Sequence, residues 1–317
     1  MRFFRNVVLA GVLAIVSGAT VAQERLSVVA TTGMIADAVR EVGGDLVEIK
    51  GLMGAGVDPH AYRQTRSDIV AMTRADLVLW HGLYLEAQME GFFQDLSRNR
   101  NVVELGAQID AAVLRGHDDY DDKFDPHIWM DPDLWTLMVA QVETALSATS
   151  PEHAAVFEAN AAAHLDEIKV LSTYAKTALA TVPENARVLL SAHDAFGYFG
   201  EAYGFEVMGI QGISTESEAG LNRISELVDL LVARDIRAVF VETSVSDRAM
   251  RALIEGAAAQ GHEVKIGGEL FSDAMGAEGT YEGTYIGMID HNATVIAGAL
   301  GGEVPDRGLN GRLSAGF

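Results

Sequence analysis

Apolar residues in this chain come in short runs, and between the runs they recur at every third or fourth position. Leu26–Ala30 is an unbroken apolar run apart from Ser27, followed by the turn Thr31-Thr32-Gly33 and a helical pattern over Met34–Val42. Leu46–Leu52, Leu77–Trp80 and Asn101–Leu105 are further strand-like runs, with a helix through Asp68–Arg74 between the first two. After residue 183 the alternation repeats. Strands are predicted at Arg187–Ser191, Val207–Ile210, Ala238–Glu242 and Val264–Ile266, and helices over about Asn222–Arg234, Asp247–Gln260 and Tyr281–Leu300. Short buried runs alternating with helices predict βαβ units and parallel sheets.

Between the two series lies a long uninterrupted helical pattern. Ser150 is suited to an N-cap and Pro151 to the first helical position. Neither glycine nor proline follows until Pro183. Roughly 30 residues at about 1.5 Å each make a rod of about 45 Å, long enough to run the length of a small two-lobed protein. The expected fold is therefore α/β. Two βα-rich lobes with mostly parallel sheets, residues 23–150 and 183–317, are joined by one long rigid helix over 151–182.

The N-terminus stands apart from this scheme. Arg2 and Arg5 precede the apolar run Val7–Val16, and Thr20-Val21-Ala22 fits a small-x-small cleavage rule. Residues 1–22 are expected to be a signal peptide. The chain has no cysteine, so disulfides are excluded and both cores must form by packing alone. The same absence suggests a periplasmic protein that is not a lipoprotein and has no direct membrane anchoring after cleavage. A formal net charge of −22 repels nucleic acid and anionic lipid and attracts cations in general. One acidic tract, His117-Asp118-Asp119-Tyr120-Asp121-Asp122, is expected in a loop, either as solvated surface or as a weak metal-collecting lure.

Candidate chemistry sits in the loops that follow strands. His60 lies in Val57-Asp58-Pro59-His60-Ala61-Tyr62, His127 in Phe124-Asp125-Pro126-His127-Ile128-Trp129, and His193 in Ser191-Ala192-His193-Asp194-Ala195-Phe196. Asp273 holds the matching place after the last strand, in Ser272-Asp273-Ala274-Met275-Gly276. Ligands of open α/β sheets bind beyond the carboxyl ends of strands. Three imidazoles and one carboxylate make a site for a borderline divalent ion. Two come from each half, so an ion would sit between the lobes. Proline before His60 and His127 restricts the preceding backbone and pre-orders each loop. Asp58, Asp125, Asp194 and Glu242 are candidates to accept the remote ring N–H of a ligand imidazole, and Trp129 and Phe196 to wall the site. His81, His153, His164, His262 and His291 are read as structural or solvated.

These stretches resemble the metal-binding proteins of zinc and manganese ABC importers, the cluster with a rigid helix between two lobes. The similarity runs in order through Gly56–Tyr62, Asp125–Pro132, Ser191–Phe199 and Leu270–Gly276. It implies that His60, His127, His193 and Asp273 are the metal ligands, that the protein is not an enzyme, and that it delivers its ion to a membrane permease, acting as a monomer. His at the third position and the donor set place zinc (Zn2+) first as cargo, then manganese (Mn2+), then iron (Fe2+). The absence of a long His-rich loop leaves dedicated zinc uptake open. Two other readings carry less of the sequence. A secreted zinc-dependent hydrolase would need an open coordination position and a general base, and no His-Glu-x-x-His helix occurs. A binder of bulky metal chelates would need a wide aromatic or basic cleft, with aromatics only 7% of residues, and would leave the matched histidines without a purpose.

Overall fold

The computed structural model describes residues 25–117 and 120–315. The expected signal peptide at 1–22 and the side chains of the acidic tract lie outside the described residues.

The first lobe opens with β1 (Leu26–Ala30), α1 (Gly33–Gly43), β2 (Val47–Gly51), α2 (Arg66–Arg74), β3 (Leu77–Trp80), α3 (Glu90–Leu96) and β4 (Val102–Glu104). Its strands form one parallel sheet in the order β2-β1-β3-β4. The order reverses between β1 and β3, which opens a crevice at their C-terminal ends. Both helices start where side chains satisfy the first N–H groups. Thr32 caps α1, and Thr65 with Asp68 forms a capping box on α2.

The middle of the chain departs from expectation. The acidic tract was expected in a loop, yet β5 (Gly116–His117) and β6 (Tyr120–Phe124) pair as an antiparallel hairpin. Then comes α4 (Pro132–Thr149), a helix not among the expected elements, with Asp131 as its cap and Pro132 in its first turn. The long helix α5 (Ala154–Ala180) starts later than expected. Pro151–His153 forms a separate 3-10 turn, and Ser150 turns its hydroxyl to Glu152 and His153 rather than to a helix N–H.

In the second lobe, β7 (Val188–Ser191) pairs in parallel with β8 (Glu206–Gly209), and β9 (Ala238–Glu242) with β10 (Lys265–Leu270). The strand β7 also lies beside β9. The helices α6 (Gly197–Tyr203), α7 (Leu221–Ala233), α8 (Arg248–Ala259) and α9 (Tyr285–Ala299) complete it.

Helix α5 buries Phe157, Ala161, His164, Ile168, Leu171, Ala175 and Ala178, spaced three and four apart along one stripe. At about 1.5 Å per residue its 27 residues make a rod of about 40 Å. It packs on α1 of the first lobe and α9 of the second. Hydrogen bonds pin it to both, from Asn160 Nδ2 to Val42 O and between Tyr174 and Thr294. One apolar core runs from Val28 and Met34 through Ile168 and Leu171 to Met288 and Ile296. The lobes are thus fused along their back, while separate outer cores around Leu190–Leu253 and Val78–Phe93 belong to each lobe alone.

Candidate metal centre

His60 is placed by the turns after β2. Asp58 Oδ1 accepts its backbone N–H at 2.8 Å, an Asx-type turn that holds the loop. His127 is set the same way, its N–H donating to Asp125 Oδ1 at 2.9 Å. That loop follows the hairpin strand β6 rather than a strand of the parallel sheet. His193 leaves the end of β7, and its N–H donates across the sheet to Glu242 Oε1 on β9 at 2.9 Å. Gly209 at the end of β8 permits this turn, since a Cβ there would stand 2.5 Å from Asp194 N and 2.7 Å from the carbonyl carbon of His193. Asp273 follows β10.

All four side chains are buried, His127 and His193 completely. One donor atom from each lies within 4.8 Å of every other. His60 Nε2 is 3.3 Å from His127 Nε2, and Asp273 Oδ1 is 3.4 Å from His127 Nε2. Asp273 Oδ2 is 3.2 Å from His193 Nε2 and 4.0 Å from His60 Nε2. A tetrahedral ion with bonds of about 2.0–2.1 Å has donor–donor edges of about 3.3 Å. Asp273 Oδ1, Oδ2 and His193 Nε2 are buried with no hydrogen-bond partner, a costly state for lone pairs unless a cation takes them.

The remote ring nitrogens are also held. His193 Nδ1 is 2.5 Å from Glu242 Oε2, and His127 Nδ1 is 2.8 Å from Asp125 Oδ1. These carboxylates fix each ring with Nδ1–H outward and Nε2 facing the centre. Asp58 does not act this way. Its second oxygen accepts from Thr215 Oγ1 of the opposite lobe at 2.5 Å. The backbone N–H of Asp194 donates to Gly212 O. Trp129 walls the site, edge to face with His127 at 5.2 Å between ring centroids, whereas Phe196 packs on Phe199.

For the protein groups by themselves, burial opposes any charge here, yet the carboxylates prevail. Burial would strip the His127 proton, but the facing carboxylates of Asp125 and Asp273 outweigh it and lift the imidazole to about 9. Asp273 and Glu242 likewise hold His193 well above its ordinary range against burial. Asp273 stays far below the usual carboxylate range despite burial because His193 and His127 face it. His60, dominated by burial, falls to about 3. The site is an anion among imidazoles whose protons compete with a metal ion for the same nitrogens.

His81, expected to be structural or solvated, lies fully buried just after β3 with Nε2 2.7 Å from Pro126 O. His153 bonds Ser150, His262 bonds Ile236 O, and His291 bonds Glu269 O. His164 is buried in α5. Contacts that sequence reasoning missed join the lobes over the centre. Besides Thr215 with Asp58, Gln88 Nε2 donates to Glu216 Oε1 at 2.6 Å. A cleft of about 20 Å³ remains there, room for about one water, lined by His60, Tyr84, Phe124 and Ile213 among others.

Comparison with known proteins places this arrangement. Residues 28–299 match the model of a family described as zinc-uptake complex component A, periplasmic. The manganese-binding lipoprotein MntA of Bacillus subtilis (strain 168) is 44% identical over 279 residues, 88% of this chain and 91% of the relative. The zinc-binding protein TroA of Treponema pallidum (strain Nichols) is 43% identical over 273 residues, 86% and 88% of the two. The solved structure of periplasmic zinc-binding TroA from Treponema pallidum superposes with a TM-score of 0.85 at 42% identity, covering 87% of this chain and 99% of that one.

The comparisons correct one expectation. The reading of a protein that is not a lipoprotein rested on the missing cysteine, but MntA and further matched relatives are named lipoproteins. The absence of one residue type removes one attachment chemistry from this sequence and does not decide where a protein resides. Among the described residues no helix is long and apolar enough to cross a membrane.

Proposed function

Because this chain belongs to the family of zinc-uptake complex component A, we propose that His60, His127, His193 and Asp273 bind one Zn2+ ion as its cargo. The protein is a metal-binding solute-binding protein of zinc and manganese ABC importers, and not an enzyme. Such a protein captures a divalent ion and passes it to the permease. The comparisons give no support to a hydrolase, whose water would need an open coordination position.

The observation that carries the ligand assignment is the meeting of four buried donors within 4.8 Å of one another, two from each lobe. The zinc assignment rests on the donor set. Three imidazoles and a carboxylate bind zinc more tightly than manganese by intrinsic affinity, and protein groups alone offer fewer than the six oxygen-rich positions of an octahedral ion. One chain supplies all four ligands, which supports a monomeric binding unit. We divide it into a first lobe (23–150), a connecting helix (151–182) and a second lobe (183–317).

Elemental analysis of the protein purified from its native host without added metal tests the cargo. One equivalent of zinc is expected, and manganese or iron in that place overturns the zinc assignment. Loss of metal from Asp273→Ala, with the melting curve in chelator unchanged, is expected for the ligand set. Full retention of metal by that variant overturns it.

A further inference from the structure

Two buried rings that carry no lone pair to the centre reach the backbone just before a ligand. His81 Nε2–H donates to Pro126 O at 2.7 Å, one residue ahead of His127. Trp129 Nε1–H donates to Ser272 O at 2.8 Å, one residue ahead of Asp273. The two rings meet edge to face with centroids 5.1 Å apart and planes at 89°. Ser272 belongs to the second lobe and Pro126 to the first, so the pair spans the seam.

The backbone that carries each ring is itself fixed. Glu86, fully buried, accepts the N–H groups of His81 at 2.9 Å and Gly82 at 3.1 Å and the Thr31 hydroxyl at 2.6 Å. It ties the ends of β1 and β3 together and holds the turn in which Leu83 and Tyr84 adopt positive φ. Behind Trp129, Tyr285 of α9 donates its hydroxyl to Trp129 O at 2.9 Å. A rigid line therefore runs from the crevice of the first sheet, through His81 and Trp129, to Asp273 on the second lobe.

We propose that His81 and Trp129 are a pair of positioning residues that set the separation between His127 and Asp273, and through it which divalent ion the centre prefers. This rests on the ligand reading above. A borderline ion of low coordination number gains most from donors held at one spacing. Manganese, which draws more on the carboxylate charge and completes its shell with water, depends on that spacing less. Loosening the line therefore costs zinc more than manganese.

Trp129→Phe keeps an aromatic ring, though a smaller one, and removes the single donor. Zinc and manganese dissociation constants of the full chain, measured against a chromophoric chelator, are expected to diverge from those of the unaltered protein. Zinc should weaken about 10- to 100-fold, as for loss of an outer-shell partner, and manganese by clearly less. The Co2+ complex should lose visible absorption intensity as its coordination number rises. His81→Gln, whose amide can still donate to Pro126 O, should retain most of the preference for zinc, and His81→Leu should lose it. This second pair carries the test if Trp129→Phe melts without a cooperative transition in chelator. An unchanged zinc-to-manganese ratio and Co2+ spectrum in Trp129→Phe and His81→Leu overturns the inference while leaving the ligands in place. Failure of the unaltered chain to bind either ion overturns the ligand reading, and this inference with it.

Discussion

The inner wall and the mouth of the centre use the same side chain in opposite ways. His127 and His193 are wholly buried, and each has a carboxylate on its remote nitrogen, Asp125 and Glu242. His60 lines the small cleft, and its neighbour Asp58 grips the backbone and the opposite lobe instead of the ring. Burial pushes the His60 proton off, while carboxylates hold protons on the inner pair. An imidazole oriented and made more basic by a carboxylate is the stronger ligand. This contrast places the better-oriented ligands in the inner wall and the contacts between the lobes at the mouth.

Acidification tests this contrast with the largest effect. The facing carboxylates favour protons on the inner imidazoles, so an ion must displace protons to bind and affinity falls as pH falls. Each proton released should raise the dissociation constant about tenfold per unit of pH lost, since each contributes about 1.4 kcal/mol per unit. Titration calorimetry in buffers of different ionisation enthalpy counts the protons directly. Equal affinity at pH 7.5 and 5.5 would remove the basis for the inner wall.

Asp273→Ala removes the one anion that faces all three imidazoles and should weaken zinc by more than the roughly 100-fold upper range of an outer-shell change. A competition titration measures this, and a smaller loss than for Glu242→Gln would reverse the ranking. Glu242→Gln keeps the shape but weakens the acceptor on His193 and should cost about 10- to 100-fold, against little effect for Asp58→Asn on affinity. Equal losses for the two would erase the difference between wall and mouth. The smallest change is expected at the lid contact. Thr215→Val deletes one hydrogen bond, a net contribution of about 0.5–1.5 kcal/mol, and should quicken ion release in stopped flow while moving equilibrium affinity only a few-fold.

Much of this was legible before any coordinates. The strands β1, β3, β7 and β9 and the body of α5 follow from local apolar periodicity, and the four candidate ligands from where their motifs fall after strands. Helix α4 carries the same local signals, with Asp131, Pro132 and buried positions from Trp135 to Leu146 in helical register. The hairpin at Gly116–Phe124 was not legible, because its strands are short and rich in charge and carry no alternation that a loop lacks.

The sequence by itself determined the elements, because hydrophobic period and capping act within a few residues, and it determined the set of donor types. Only the tertiary structure decided their spacing and their backing. Which carboxylate meets which ring, that His81 grips Pro126 and Trp129 grips Ser272, and that Thr215 reaches Asp58 are contacts between residues 2 to 157 positions apart in the chain. Asp125 beside His127 is a local pair within one loop, but the contacts across the seam arise from packing two lobes on a shared core, where geometry selects one partner among the candidates.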